Sequence, residues 1–306
     1  MVGIWFHTLA ELLKGLYIYV KCRLNSDTIN HSGQMPELPE VETVVRGVRP
    51  NLVGRTITDV WLDWPRGLIG PAPEVFVERL KGQRVQSISR RAKYIVIRLD
   101  ADYLLIHLKM TGRLYVVPDD FEEHADQWVH FKFQLDNAHQ LRFSDSRKFG
   151  RVYLIENVEE VTGALGPEPL SDEFTADIFR ERLSKRKGTI KPLLLNQAFV
   201  AGVGNIYADE SLHIAHILPT RKAESLTPSE VEALWQAIRQ ALANGLEREG
   251  ASVNWYRKPD GSKGSAQESL FVYGQTGQVC RTCQQAVIEK IVVGQRGTHF
   301  CPNCQK

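Results

Sequence analysis

The sequence lacks any run of eighteen or more uncharged apolar residues, so it offers no candidate transmembrane helix. It also lacks an excess of charge: 38 Lys plus Arg against 36 Asp plus Glu leave +2 over 306 residues. Global charge therefore announces no nucleic-acid partner, and any such partner must be read from local clusters. Cysteine is scarce, and four of the five fall within residues 280–306. That distribution excludes a disulfide framework and suits a reducing compartment with one metal site. No internal repeat is present. What remains, at 43% hydrophobic and 24% charged, is an ordinary globular composition with length enough for two domains.

Residues 1–34 differ from the rest. The stretch MVGIWFHTLAELLKGLYIYVKC is apolar and runs into the polar NSDTINHSGQ. No basic segment precedes it and no small-residue cleavage site follows, so it does not read as a signal peptide. An amphipathic helix and a linker are expected, with Cys22 a lone thiol.

From Met35 the pattern sharpens. Pro39 suits a first helical turn, Glu40 and Glu42 suit the positive end of the helix dipole, and Val41, Val44, Val45 and Val48 form one apolar stripe. Pro50 is expected to stop this helix. Strand-like runs follow: TITDVWL, RVQSISR, YIVIRLD, YLLIHLKM, RLYVV, WVHFKFQL, QLRFSD and RVYLIE, with a hairpin loop at LDNAHQL. They predict a β-sandwich or barrel led by a helix, His107 and His130 being ordinary strand residues. The segment LGPEPLSDEF (165–174) reads as an inter-domain linker. Beyond it the period becomes helical, and Thr227, Pro228 and Glu230 make a capping box. Residues 258–267, rich in Gly, Ser and Lys, read as a mobile loop.

The strongest chemical signal is Cys280-Arg-Thr-Cys283 and Cys301-Pro-Asn-Cys304, separated by 17 residues. Two CxxC pairs at this spacing place four thiolates for a structural zinc, with no position left open for water. The segment between them reads as a hairpin with Arg296 at its tip. Two basic clusters, 84–93 and 180–191, are either solvated faces or phosphate sites. Gly202 and Gly204 precede a helix opened by Asn205, either a plain turn or an anion site at a helix N-terminus. Met35-Pro36 carries a further option. If Met35 is an initiator and is removed, Pro36 becomes a secondary amine. An α-amino group of pKa about 7.7–8.0 is partly unprotonated at neutral pH and can attack an electrophilic sugar carbon.

Together MPELPEVET, RRAKY, HLKMTG, DSRKFG, LGPEPL, AGVGNIYADES, VYG and the two CxxC pairs resemble, in this order over residues 35–306, bacterial formamidopyrimidine-DNA glycosylase. The resemblance implies an α+β fold: a β-sandwich with a leading helix (35–164), a linker (165–174), a helix–two-turn–helix domain (175–269) and a zinc-finger hairpin (270–306). It implies Pro36 as nucleophile, Glu37 as acid and base at the sugar, Glu40 as a supporting carboxylate and Lys93 as the lysine paired with a phosphate beside the lesion. Met110, Arg147 and Phe149, which taken singly are as readily core as contact residues, become those that fill the hole left by a flipped base. Lys187, Asn205, Tyr273 and Arg296 become phosphate contacts, and residues 256–267 lie where the family has its lesion-recognition loop.

The implied activity is bifunctional: excision of oxidised purines such as 8-oxoguanine and formamidopyrimidines, then strand cleavage by β,δ-elimination as an apurinic/apyrimidinic lyase. The implied cofactor is one structural Zn2+ per chain held by Cys280, Cys283, Cys301 and Cys304. The implied partner is damaged double-stranded DNA, with no membrane and no small-molecule cofactor, for a cytoplasmic monomer. Two rivals stand beside this reading: an endonuclease VIII-like enzyme for oxidised pyrimidines, and a catalytically silent zinc-finger DNA-binding protein if Pro36 stays peptide-bonded. Leu38 favours the oxidised-purine branch over the first rival. Two features depart from the family: the 34 residues before Met35, expected to be an upstream mis-start or a removable leader with the mature start at Pro36, and a cysteine spacing one residue longer.

Overall fold

The computed structural model describes residues 35–253 and 255–306. The helix and linker expected over residues 1–34, and Cys22 with them, lie outside the described residues. Among the described residues, no helix is long and apolar enough to cross a membrane.

Helix α1 (Leu38–Leu52) forms because its valine stripe, with Leu52, is buried along its whole length. Pro50 does not end it. The proline sits inside the last turn, where a missing N–H removes one hydrogen bond, and burial of Leu52 holds that turn in place. Strands β1 (Ile57–Leu62), β2 (Leu68–Ile69), β3 (Ser87–Arg91), β4 (Tyr94–Arg98), β5 (Tyr103–His107), β6 (Gly112–Pro118), β7 (Val129–Leu135), β8 (His139–Asp145) and β9 (Arg151–Ile155) follow. They make two sheets, β1-β7-β8-β6 and β2-β9-β5-β4-β3, antiparallel except where β2 joins β9. Inward residues such as Val60, Phe131, Phe133 and Phe143 from the first sheet meet Ile95, Ile97, Leu104 and Val152 from the second, the expected sandwich. Helix α2 (Pro73–Leu80), which packs on β1, and the two-residue β2 escape the sequence reading.

After α3 (Glu159–Thr162) comes the helical part: α4 (Ala176–Ser184), α5 (Ile190–Leu195), α6 (Asn205–Ile214) and α7 (Pro228–Glu247). The predicted cap of α7 is present, with Glu230 N–H donating to Thr227 Oγ1 (3.3 Å) and Thr227 N–H to Glu230 Oε2 (2.7 Å). Phe174, Phe179, Phe199, Leu212, Leu234 and Ile238 build a second core. Leu38, from the first turn of α1, belongs to this second core, while the rest of the stripe belongs to the first. One helix thus serves both cores.

The segment read as a linker is pinned down, since Gly166 N–H donates to Gln197 O (2.8 Å) and Ala201 N–H to Pro167 O (3.0 Å). Residues 258–267 are likewise a folded turn, contrary to the expected mobile loop. Lys258 and Ser262 are bridged by a backbone hydrogen bond (2.9 Å), and Pro259 seats where Gly47 of α1 leaves room: a Cβ there would lie 2.7 Å from its Cγ. Last come β10 (Glu289–Val293) and β11 (Arg296–Phe300), joined through Gly294 (φ 56°) and Gln295 (φ 63°). Two successive left-handed residues make the tight hairpin turn matched to strand twist. It puts Arg296 at the tip as predicted.

Candidate active site

The glycines before α6 do create an anion site, and the chain itself fills it. Glu37, the residue before α1, turns its carboxylate onto the start of α6 and accepts N–H donation from Gly204 (2.8 Å), Ile206 (2.8 Å) and Tyr207 (3.3 Å). Gly204 is needed for this approach, because a Cβ would stand 2.5 Å from Glu37 Oε1. The dipole of this helix N-terminus thus serves an internal carboxylate.

Glu40 sits one turn along. Its Oε2 accepts Glu37 N–H (2.9 Å), and its Oε1 accepts from the Tyr207 hydroxyl (2.8 Å) and Ala251 N–H (2.7 Å). Burial raises both acids. Glu37 is pushed up to about 7 by burial, against the pull of the Lys93 charge and the α6 amides, with Glu40 adding to the rise. Glu40 is raised in the same direction, again by burial. Lys93 lies in the two-residue turn between β3 and β4, which Ala92 makes with a positive φ of 53°. Its ammonium is buried, which lowers its pKa; the carboxylates of Glu37 and Glu40 oppose that, and Arg296 reinforces it. Pro36 lines a cleft together with Met35, Glu40, Ile206, Ala251, Trp255 and Tyr256. Proline, two acids and a lysine, all from the sandwich domain, thus meet in one place, with the acids held by donors from the helical domain.

The other sequence-derived positions fall into two groups. Arg296, Asn205 and Tyr273 form the first group, where α6 meets the hairpin: the Arg296 charge acts on Lys93, the Asn205 amide donates to Gly297 O (3.0 Å), and the Tyr273 hydroxyl faces Asn205 and feels the Glu37 charge. Met110, Arg147 and Phe149 form the second group, on the turns that follow β5 and β8. The Arg147 guanidinium lies 4.7 Å over the Phe149 ring, which is exposed and not packed inside. Lys187 joins neither group; it is exposed between α4 and α5, on the Glu224 side. His107 and His130 are strand residues as read. Burial drives His107 down to about 3, so its ring is neutral at any physiological pH.

Sequence reasoning misses the residues that hold these groups in place. Asp145, wholly buried, accepts the Thr111 hydroxyl, Phe149 N–H (2.8 Å) and Gly150 N–H (2.6 Å), so one carboxylate ties the Met110 turn to the Arg147–Phe149 turn. Glu168, from the supposed linker, accepts Ala92 N–H (2.5 Å) and pairs with Arg90 (2.7 Å) and Arg91 (3.0 Å), fixing the turn that carries Lys93. Glu210 accepts three successive N–H groups, 271 to 273, and so sets Tyr273. Asp145 lies inside DSRKFG, Glu168 inside LGPEPL and Glu210 inside GNIYADES, so the motifs marked their neighbourhoods without revealing their partners.

The cysteines pass a geometric test. Tetrahedral zinc with Zn–S near 2.3 Å requires sulfur–sulfur edges of about 3.8 Å. Cys280–Cys304 and Cys283–Cys301 stand 3.8 and 3.7 Å apart, and the four Sγ atoms all lie within 4.8 Å of one another. The spacing suits one structural zinc and is far too long for disulfides. The hairpin is not a separate unit, however. Lys191 and Asp209, both fully buried and paired at 2.6 Å, grip β11: Lys191 donates to Thr298 Oγ1 (2.7 Å) and Asp209 accepts His299 N–H (2.8 Å).

A sandwich, a helical domain and a four-cysteine hairpin around a shared acid cluster define a protein of the helix–two-turn–helix class. Family profiles match along the chain: the formamidopyrimidine-DNA glycosylase N-terminal domain over residues 35–152, its H2TH domain over 165–257, and the zinc finger found in FPG and IleRS over 277–306. Formamidopyrimidine-DNA glycosylases from Herpetosiphon aurantiacus and Chloroflexus aurantiacus are 47% and 45% identical, over 89% of this chain and 100% and 98% of theirs. A Lactococcus lactis FPG variant in complex with Fapy-dG containing DNA superposes with TM-score 0.82 at 38% identity, covering 89% of this chain and 100% of that one. MutM in complex with carbocyclic 8-oxo-G containing DNA gives 0.80 at 38%, over 89% and 100%. The chain belongs to the formamidopyrimidine-DNA glycosylase family.

Proposed function

We propose that the protein is a base-excision-repair glycosylase for oxidised purines that also cleaves the strand as an apurinic/apyrimidinic lyase. The observation that carries this reading is the buried meeting of Pro36, Glu37, Glu40 and Lys93. The Pro36 amine, freed of Met35, attacks C1′ of the damaged nucleotide. The C1′–N bond to the base breaks, and the base leaves with a proton. Loss of the amine proton then opens the C1′–O4′ bond, O4′ taking up a proton, and leaves an iminium that acidifies C2′; loss of the C2′ proton breaks the C3′–O bond, and a second elimination breaks C5′–O. Glu37, raised to about 7, is suited to giving and taking protons at the sugar. Met110, Arg147 and Phe149 would occupy the space of the extruded base, two apolar wedges with a donor for the orphaned partner.

The nucleophile is tested by two preparations. Residues 34–306 form a compact unit by themselves, with their own cores. Borohydride should trap a covalent adduct with abasic-site DNA when the chain begins at Pro36, and Pro36→Gly should retain part of it because glycine still offers an α-amine. The 306-residue chain, blocked from processing, should trap nothing, since an amide nitrogen is not nucleophilic. Trapping by that long form would move the nucleophile to a lysine, Lys93 first.

The phosphate role of Arg296 has its own signature. Arg296→Ala should weaken binding to damaged and undamaged duplex equally and lower the salt slope by about one. A loss confined to lesion-bearing DNA, with the slope unchanged, would count against it.

A further inference from the structure

Lys109 lies two residues beyond β5 and one before Met110, in a left-handed turn (φ 52°) fixed by its own N–H, which donates to His107 Nδ1 (3.1 Å). Arg151 opens β9 in register with His107. Its Nη1 donates to Phe149 O (3.0 Å) and Gly150 O (2.7 Å), which ties it to the turn that carries Phe149. Its Nε and Nη2 make no hydrogen bond among the described residues, and the guanidinium lies 5.7 Å from the centre of the Trp64 ring. The Lys109 ammonium is partly buried within reach of this guanidinium: burial and the Arg151 charge both lower its pKa, and no carboxylate opposes them. The Lys109 charge acts on Lys93 in the same sense. Asp145, the acid of these two turns, is already spent on the Thr111 hydroxyl and on the amides of Phe149 and Gly150. With 36 acidic residues against 38 basic ones, a shortage of acids does not explain cations left facing one another. Like charges held together by a fold cost free energy until an anion joins them.

We propose that Lys109 and Arg151 together hold one backbone phosphate of the lesion strand, next to the phosphate that Lys93 meets. This rests on the glycosylase reading above and adds to it a second anion site, built from the turn of Met110 and the turn of Phe149. Binding is measured on a duplex carrying a tetrahydrofuran abasic analogue, so no turnover is needed. The double variant Lys109→Gln, Arg151→Gln should lower the salt slope by about one, the worth of a single phosphate. Its affinity deficit should then shrink roughly three- to fourfold between about 50 and about 200 mM salt. A fall of about two would mean two separate phosphates, and an unchanged slope would mean none; either overturns the shared site. Lys109→Arg should keep the slope of the unsubstituted protein, since the charge remains. A loss there as large as in Lys109→Gln would assign the effect to the shape of the turn and overturn the site as well.

Neutral methylphosphonates, placed one at a time along either strand, identify the phosphate. One position in the lesion strand should weaken the unsubstituted protein several-fold and leave the double variant unaffected. Equal losses in both proteins at every position, or a position found only in the complementary strand, would overturn the assignment. An unsubstituted protein that binds no duplex would overturn this site together with the glycosylase reading. Ordinary binding by that protein, matched by the double variant at every salt concentration, would overturn this site alone.

Discussion

Glu37→Gln is expected to slow base release by about 10²- to 10⁴-fold, the usual worth of a positioned general acid or base. The carboxyl is buried at the start of α6 and lifted from its ordinary 4.5 to about 7 by that burial, against Lys93 and the helix amides. Near neutral pH it is part protonated, so it can both give a proton and take one back. The unsubstituted enzyme should therefore show a limb near pH 7 in single-turnover base release, and the variant should lack it. The same shift has a stability consequence. The folded state holds this proton more tightly than the unfolded chain, so the group's contribution is complete below about pH 4.5 and fades as pH rises through about 7. Glutamine would set one amide donor against the donors of Gly204, Ile206 and Tyr207, at a cost of roughly 1–3 kcal/mol. Circular dichroism separates that loss from the chemical one. A folded variant within about threefold of the parent rate at every pH would remove Glu37 from the chemistry, because acid–base catalysis is worth far more than that.

Cys283→Ser, or strong chelation, should release the zinc and lower duplex affinity by on the order of a hundredfold, because phosphate contacts on one hairpin are lost together. The cluster around the cysteines contains little besides Val272, Cys280, Ile288 and Cys301. An apolar unit that small is held by its metal, whose binding energy is then folding energy. The damage should extend further than a detached finger would allow. Without β11 the buried Lys191–Asp209 pair loses Thr298 and His299, so hydrogen exchange should quicken in α5 and α6. The sandwich, with its own core, should keep its near-ultraviolet dichroism. Full duplex affinity in a zinc-free protein would refute this account.

How much of this was legible beforehand follows from the range of each interaction. The valine stripe of α1, the capping box at Thr227 and the Gly294–Gln295 turn are set by neighbours a few residues apart, so period and turn chemistry expose them directly. The cysteine pairs are legible for a related reason: zinc accepts few ligand spacings, and 17 residues lies among them. Pro50 misled because propensity is local while burial of Leu52 is not. The anion at α6 could not be named from sequence, since Glu37 lies 167 residues from Gly204 and no periodicity links them. Asp145 joining two turns and Glu168 holding the Lys93 turn belong to the same class. Local elements, the metal set and the family motifs are written into residues that lie close along the chain. Which buried acid meets which donor is settled by packing, because a buried charge must be paired by whatever the folded chain brings to it, and that partner is chosen in space.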